Sequence, residues 1–241
     1  MGELKGAILQ PTYLPWIGYF EIIGSVDLYV VFDHVQFVKK SWQQRNKIKG
    51  PNGIVTLTVP IQRVARDTKI CDIKVSYDQG NALEKHWKTI SLAYSKSPYF
   101  TSYESIFREI FSRNHIYLRD LNVELIKRIM DILDIRTKIV ISSELGLSDQ
   151  NMGKTERIVS LCKNVGITYL YDGKGAQQFI DTPLFHRENI AIEFQNFVHP
   201  GYTQMWGKFV PYLSAIDLLF NEGEKSMEVI RSGKSQAPEK G

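Results

Sequence analysis

Apolar residues along this chain fall into short runs with a strand's period and longer stretches with a helix's. Gly6 to Gln10 (GAILQ) reads as a buried strand that stops at Pro11, which has no amide hydrogen for a ladder. LPWIGYFEII follows as a helix opened by Pro15 and closed at Gly24-Ser25, and Asp27 to Asp33 (DLYVVFD) is a second strand rich in β-branched and aromatic residues. Strand, helix and strand within about 30 residues make a βαβ unit, which implies parallel pairing. Gly50-Pro51-Asn52-Gly53 separates the basic stretch KKSWQQRNKIK from IVTLTVPI and predicts a β-hairpin, followed by a short strand near Ile70 to Val75.

A helical insertion is expected over about 80–134, where SIFREIFS and LNVELIKRIMDIL repeat the 3.6-residue pattern. KIVI (Lys138 to Ile141) returns to strand, Thr155 to Asn164 is a helix closed by Gly166, and ITYLY is a strand that runs into the tight loop Asp172-Gly173-Lys174-Gly175. Ile190 to Phe194 is the last strand, and PYLSAIDLLF and EGEKSMEVIRSG are the last helices. The alternation predicts an α/β fold: a Rossmann-like, mostly parallel sheet with a β-hairpin and a helical insertion. One domain is expected over 1–232, with 233–241 as a disordered tail.

Composition narrows the function. The 241 residues are 43% hydrophobic and 23% charged, which excludes a disordered or collagen-like chain. No apolar run approaches the roughly 18–20 residues of a membrane span. Thirty cations against 26 acids give +4, too mild for a dedicated nucleic-acid binder but compatible with an anionic substrate such as a nucleotide sugar. Cys71 and Cys162 have no zinc spacing, and HExxH, EF-hand and GxSxG patterns are absent, so no metal site is expected. The N-terminal segment lacks the apolar core of an export signal, which predicts free thiols in a reducing cytoplasm.

Three segments carry candidate chemistry. Gln10, Pro11, Tyr13, Trp16 and Tyr19 lie where the first strand passes into the first helix, the edge at which parallel sheets bind ligands. Gly18, just before Tyr19, suggests a close approach by a ligand or strand. Asp33, Gln36, Lys39, Arg45 and Asn46 follow the second strand and offer partners for phosphate or sugar hydroxyls, whereas Lys40 and Lys47 read as a solvated surface. The third segment holds His199, Tyr202 and Gln204, with Asp217 and Asn221 four apart on one helix face. His199 is the candidate general base, with His34 as its alternative among the histidines. Lys154 and Gly173 sit in weaker phosphate-loop-like stretches that match neither GxxxxGK[ST] nor GxGxxG.

QPTYLPWIGYF, DHVQFVKKSWQQRNKI with TLTVPI, KTERIVSLCKNVGITYLYDGKGAQQFID and FQNFVHPGYTQMWGKFVPYLSAIDLLFNEG together resemble the WbqC-like family of bacterial proteins. The resemblance covers most of residues 5 to 223. Members are found among genes for surface-polysaccharide and O-antigen (lipopolysaccharide) assembly. The resemblance implies an enzyme that modifies an amino sugar by attaching glycine or a related acyl group. Trp16-Ile17-Gly18-Tyr19 also occupies the place of the HxGH signature of nucleotidyltransferase-like enzymes, but without its two histidines.

The combined expectation is a cytoplasmic transferase that moves an acyl or aminoacyl group to the amine of a nucleotide-activated amino sugar. His199 or Asp33 would be the base and Gln10 and Gln204 the polar orienters. Arg45 with Lys39 would clamp the diphosphate, and Tyr13, Trp16 and Tyr202 would form a stacking wall. The donor, and with it any cofactor, is left open, and a homodimer is admitted. The alternatives are a nucleotidyltransferase or ATP-dependent ligase on the same superfold, and a non-catalytic sugar-binding or scaffolding protein.

Overall fold

A computed structural model of the chain describes residues 2–147 and 152–235. The first half runs β1 (Lys5–Leu9), α1 (Ile17–Ile23), β2 (Leu28–Val31), β3 (Arg45–Gly50), β4 (Gly53–Thr58), α2 (Ala82–Tyr94), α3 (Phe100–Ser112) and α4 (Leu118–Ile132). It continues with β5 (Lys138–Ile141), α5 (Lys154–Val165), β6 (Tyr169–Asp172), α6 (Thr182–Arg187), β7 (Ala191–Phe194), α7 (Ala215–Glu222) and α8 (Ser226–Ser235).

Five strands form one parallel sheet in the order β5-β2-β1-β6-β7, and β3 and β4 form a separate antiparallel hairpin. The fold is Rossmann-like α/β. Every residue of β2 is buried, as a parallel strand covered on both faces requires. From β1 the chain moves outward through β2 to β5, then returns to the far side of β1 for β6 and β7. The direction of winding therefore reverses between β1 and β6, and ligands of such sheets bind outside the carboxyl ends of the strands near that reversal.

Local chemistry explains most element ends. The Asn81 side chain accepts from Leu83 N and Glu84 N at the start of α2. Gly166, with φ of 79°, closes α5 in the left-handed conformation that glycine adopts without a Cβ clash. The hairpin turns at Gly50 and Gly53 as its sequence demands. The three helices α2 to α4 lie between β4 and β5 and share the main core, where Phe220 of α7 packs on Tyr94, Phe100 and Phe107.

Some elements depart from expectation. Ile70 to Val75 is not a strand: Ile70–Asp72 forms a 3-10 turn, and Lys74 and Val75 make only isolated bridges to Tyr117 and Ile61. These residues cross between the hairpin and the helices and have no continuous partner strand. Pro211 to Leu213 stay outside the helix, which starts only after Ser214 accepts from Ile216 N. Helix α8 continues through Ser235, and the rest of the expected tail, 236–241, lies outside the described residues.

Candidate functional site

Beyond the carboxyl end of β1, the segment from Gln10 to Trp16 crosses toward the hairpin and opens a cleft. Thr12, Trp16, Tyr19, Trp42, Asn46 and Tyr212 line about 290 Å³ of mostly aromatic space. A second hollow of about 260 Å³ adjoins it through Trp42 and Asn46 and is lined by Lys40, Ser41, Arg45, Lys47 and Thr56. An aromatic chamber thus opens onto a cationic rim. No carboxylate lines the rim, and Lys40, Arg45 and Lys47 pair with none among the described residues.

Asn46 joins the two halves. Its Nδ2 donates to Leu14 O at 2.5 Å and its Oδ1 accepts from Lys47 N at 2.7 Å, which fixes β3 against the β1–α1 connection. Gln43 Nε2 donates to Gln10 Oε1 at 2.7 Å, and Tyr13 N donates to Trp42 O at 2.9 Å. Trp16 folds its indole over Gly18: a Cβ built there would stand 2.1 Å from the ring. The close approach at Gly18 therefore comes from Trp16 two residues earlier, and it is what lays this wall of the cleft flat.

Among the described residues, five that are not glycine have positive φ: Leu14 (47°), Lys40 (59°), Asp134 (53°), Asn189 (57°) and Tyr212 (59°). Asp and Asn tolerate that conformation through local hydrogen bonds. The three that do not, Leu14, Lys40 and Tyr212, all line or adjoin the cleft. Each costs on the order of 1–3 kcal/mol, and strain concentrated in this way marks functional regions.

Behind the aromatic wall lies His199. Its ring packs against Trp16 (centroids 6.2 Å), Tyr212 (5.1 Å), Phe209 (5.8 Å) and Tyr202 (6.2 Å). Nδ1 lies 2.9 Å from Pro200 O, and a carbonyl only accepts, so Nδ1 carries the proton and Nε2 keeps its lone pair. Nε2 is buried with no hydrogen-bond partner. Burial holds the imidazole pKa below its usual value, partly offset by the bond to Pro200, which keeps the ring neutral near pH 7.

A buried network secures the segment carrying His199. Asp217 of α7 is fully buried and accepts from Tyr94 Oη (2.7 Å), Tyr202 Oη (2.8 Å) and Gln204 Nε2 (2.9 Å). Burial pushes its carboxyl pKa up, and those three donors with nearby Lys49 pull it back. Lys49 Nζ of β3 donates to Gln204 Oε1 (3.0 Å) and to Lys208 O (2.5 Å). Asn221 donates to the Asp217 carbonyl rather than to its carboxylate. Tyr202, Gln204, Asp217 and Asn221 are thus brought together, as a support behind the cleft.

The other expected residues are placed elsewhere. Tyr13 is fully buried, with its hydroxyl 2.8 Å from His86 Nδ1 of α2, and Pro11 is buried with its carbonyl accepting from Asn122. Asp33 accepts from Ser142 Oγ, Ser143 N, Ser143 Oγ and Arg119 Nη1, so its carboxylate ties the ends of β2 and β5 to α4. His34 Nδ1 lies 2.6 Å from the same Ser142 hydroxyl. Gln36 and Lys39 line a separate groove with Arg66, so Lys39 does not share the rim that holds Arg45. Lys154 packs over the Phe179 ring, and Gly173 begins a 3-10 turn after β6. Neither lines the cleft. Thr12, Trp42 and Tyr212 line it without having been singled out, and Lys40 and Lys47 belong to the rim rather than to a merely solvated surface.

Two of the buried groups with shifted pKa values act on stability in opposite directions over the acid range. Asp172, at the carboxyl end of β6, is pushed up to about 6 by burial, offset in part by the bond from Gly173 N. His86 is pushed down to about 4 by burial. A raised acid stabilises below its unfolded pKa and loses that contribution as pH rises through 6, whereas a depressed histidine loses stability as pH falls from 6.5 toward 4. Over pH 4 to 6 the two slopes oppose each other. Asp172→Asn should therefore stabilise the protein at pH 7 by about 2–3 kcal/mol, with the gain gone near pH 4. Urea titrations at both pH values check this, and an equal gain at both would refute the assignment.

The strand order, the cleft at the sheet's carboxyl edge and the hairpin rim define a Rossmann-like α/β protein with an aromatic, cation-rimmed cavity. Comparison with known sequences gives the family. The chain belongs to the WbqC-like protein family, whose model matches residues 10–229. It is 33% identical over 230 residues to the uncharacterized protein Rv1507c of Mycobacterium tuberculosis, a match covering 94% of this chain and 97% of that protein. No solved structure matches it.

Proposed function

We propose that this protein is a transferase of bacterial surface-polysaccharide (O-antigen) synthesis. Its substrate is a nucleotide-activated amino sugar, and it moves an acyl or aminoacyl, glycyl-type group to the sugar amine. The observation that carries this reading is the two-part cleft. Trp16, Tyr19, Trp42 and Tyr212 offer flat apolar faces for a base or sugar ring. Lys40, Arg45 and Lys47 meet a diphosphate, with the forked donors of Arg45 suited to two oxygens.

His199 is the base. With Nδ1 held by Pro200, Nε2 takes the proton from the sugar amine as nitrogen attacks the donor carbonyl. The new C–N bond forms, and the bond from the acyl carbon to the donor's leaving group breaks. Trp16 and Tyr212 both pack on His199 and line the cleft, so catalysis by Nε2 requires one of these rings to shift and open His199 to the bound amine.

The test incubates the protein with uridine- and thymidine-diphosphate amino sugars, supplying glycine with ATP or acyl-CoA, and follows products by mass spectrometry. An added acyl or glycyl mass is expected. Pyrophosphate release with a nucleotidylated product would replace the reading with nucleotidyl transfer, and binding without turnover would leave a sugar-binding protein. Each phosphate contact to a cation is worth about 1.5–3 kcal/mol, so the loss of two in Arg45→Ala with Lys47→Ala should weaken nucleotide-sugar binding by roughly 100-fold or more. Unchanged affinity in calorimetry would remove the rim from the site.

A further inference from the structure

Charge is distributed unevenly along the chain. Between Asp33 and Asp67 lie Lys39, Lys40, Arg45, Lys47, Lys49, Arg63 and Arg66, and no acid. Seven of the 30 cations and none of the 26 acids fall in this stretch, so it carries +7 while the remaining chain carries −3. None of the seven pairs with a carboxylate among the described residues. Lys49 is buried near the Asp217 carboxylate, and the other six leave a positive field with no carboxylate paired to it.

The same segment holds apolar side chains out in water. Val38 is 55% exposed, Trp42 53% and Ile54 52%. Val38 and Trp42 flank the turn Val38-Lys39-Lys40-Ser41, in which Ser41 N and Ser41 Oγ both donate to Val38 O. Two buried glutamines brace the turn from beneath: Gln43 Oε1 accepts from Val38 N and Gln44 Oε1 from Lys40 N, each at 2.8 Å. Val38 and Trp42 are therefore displayed on a fixed support. Ile54 projects from the same hairpin face as Arg45 and Lys47.

A hollow flanks the turn on each side. One, about 390 Å³, lies between Lys39 and Arg66, and the other is the rim of Lys40, Arg45 and Lys47. We infer that this lobe docks on an anionic membrane surface, with Val38 and Trp42 at the level of the headgroups and a lipid phosphate seated in the hollow between Lys39 and Arg66, which leaves the rim of Lys40, Arg45 and Lys47 to the substrate. Tryptophan favours the membrane–water interface, and unpaired cations are drawn to anionic lipid. Exposed aliphatic side chains beside those cations gain from lipid and gain nothing from a nucleic-acid backbone, which favours the bilayer over RNA. Trp42 also lines the aromatic chamber, so docking turns the mouth of the cleft toward the membrane. This inference does not depend on the reaction proposed above.

Co-sedimentation with phosphatidylcholine vesicles, with and without 30% phosphatidylglycerol, tests it in the full-length protein. Binding is expected only to the anionic vesicles and is expected to fall steeply between 0.1 and 0.5 M salt. Lys39→Glu with Arg66→Glu, and separately Val38→Asp, lie outside the substrate cleft. The charge reversals should weaken binding about tenfold or more and leave nucleotide-sugar binding intact. Brominated lipid should quench tryptophan emission in the native protein and fail to do so in Trp42→Phe. Equal binding to neutral vesicles, absence of binding, or full binding by both sets of variants would overturn the inference, as would binding of transfer RNA with no binding of vesicles.

Discussion

Replacing Arg119 by methionine is expected to destabilise the protein by about 3–5 kcal/mol, the loss typical of a buried ion pair deprived of one partner. Asp33 is fully buried at the end of β2, and Arg119 Nη1 lies 3.1 Å from its Oδ2. Ser142 and Ser143 still donate to the carboxylate in the variant, but neither carries charge. The double variant Asp33→Asn with Arg119→Met should recover much of the loss, because the uncompensated charge is then gone. Urea unfolding of the three variants measures both effects. A loss under about 1 kcal/mol for Arg119→Met would mean that water screens the pair as it does at a surface.

Asp217→Leu is expected to cost a similar amount by a different route. It strips the acceptor from Tyr94, Tyr202 and Gln204 together, and each orphaned buried donor is worth about 1–3 kcal/mol. The total stays near 3–5 kcal/mol because Tyr202, which is less buried than Tyr94, regains water. This variant should also loosen 199–212, the segment that carries His199 and Tyr212. Limited proteolysis should cut there faster, while hydrogen exchange at β1 and β2 stays slow. Destabilisation without local loosening would show that the network serves only the core.

The sheet was legible because its strands are short apolar runs bounded by proline, glycine and aspartate, and parallel pairing followed from a helix between the first two. The hairpin was legible from Gly50 and Gly53. Residues 70–75 misled because an apolar run of that length suits a strand, a 3-10 turn or a crossing segment, and only tertiary partners decide which. At the cleft, the strand-to-helix position revealed Trp16 and Tyr19. It could not separate Lys39 from Lys40, since a tight turn sends neighbouring side chains to opposite sides. Arg119 stayed hidden because its partner Asp33 is 86 residues away. Tyr212 looked like the first turn of a helix, and only its backbone of φ 59° places it at the cleft.

The sheet order also sets when the cleft can exist during synthesis. Residues up to Ile141 complete β5, β2 and β1, but the second edge of β1 then has no neighbour until Tyr169 and Leu170 arrive. An open central strand of this kind invites pairing with another chain, and ribosomes extend at only about 5–20 residues per second. The cleft comes later still, because its wall needs Tyr212 and the support of that wall needs Asp217. A nascent chain can therefore hold most of its core while having no place for a substrate, and ligand binding reports that Asp217 has been made and has folded into place.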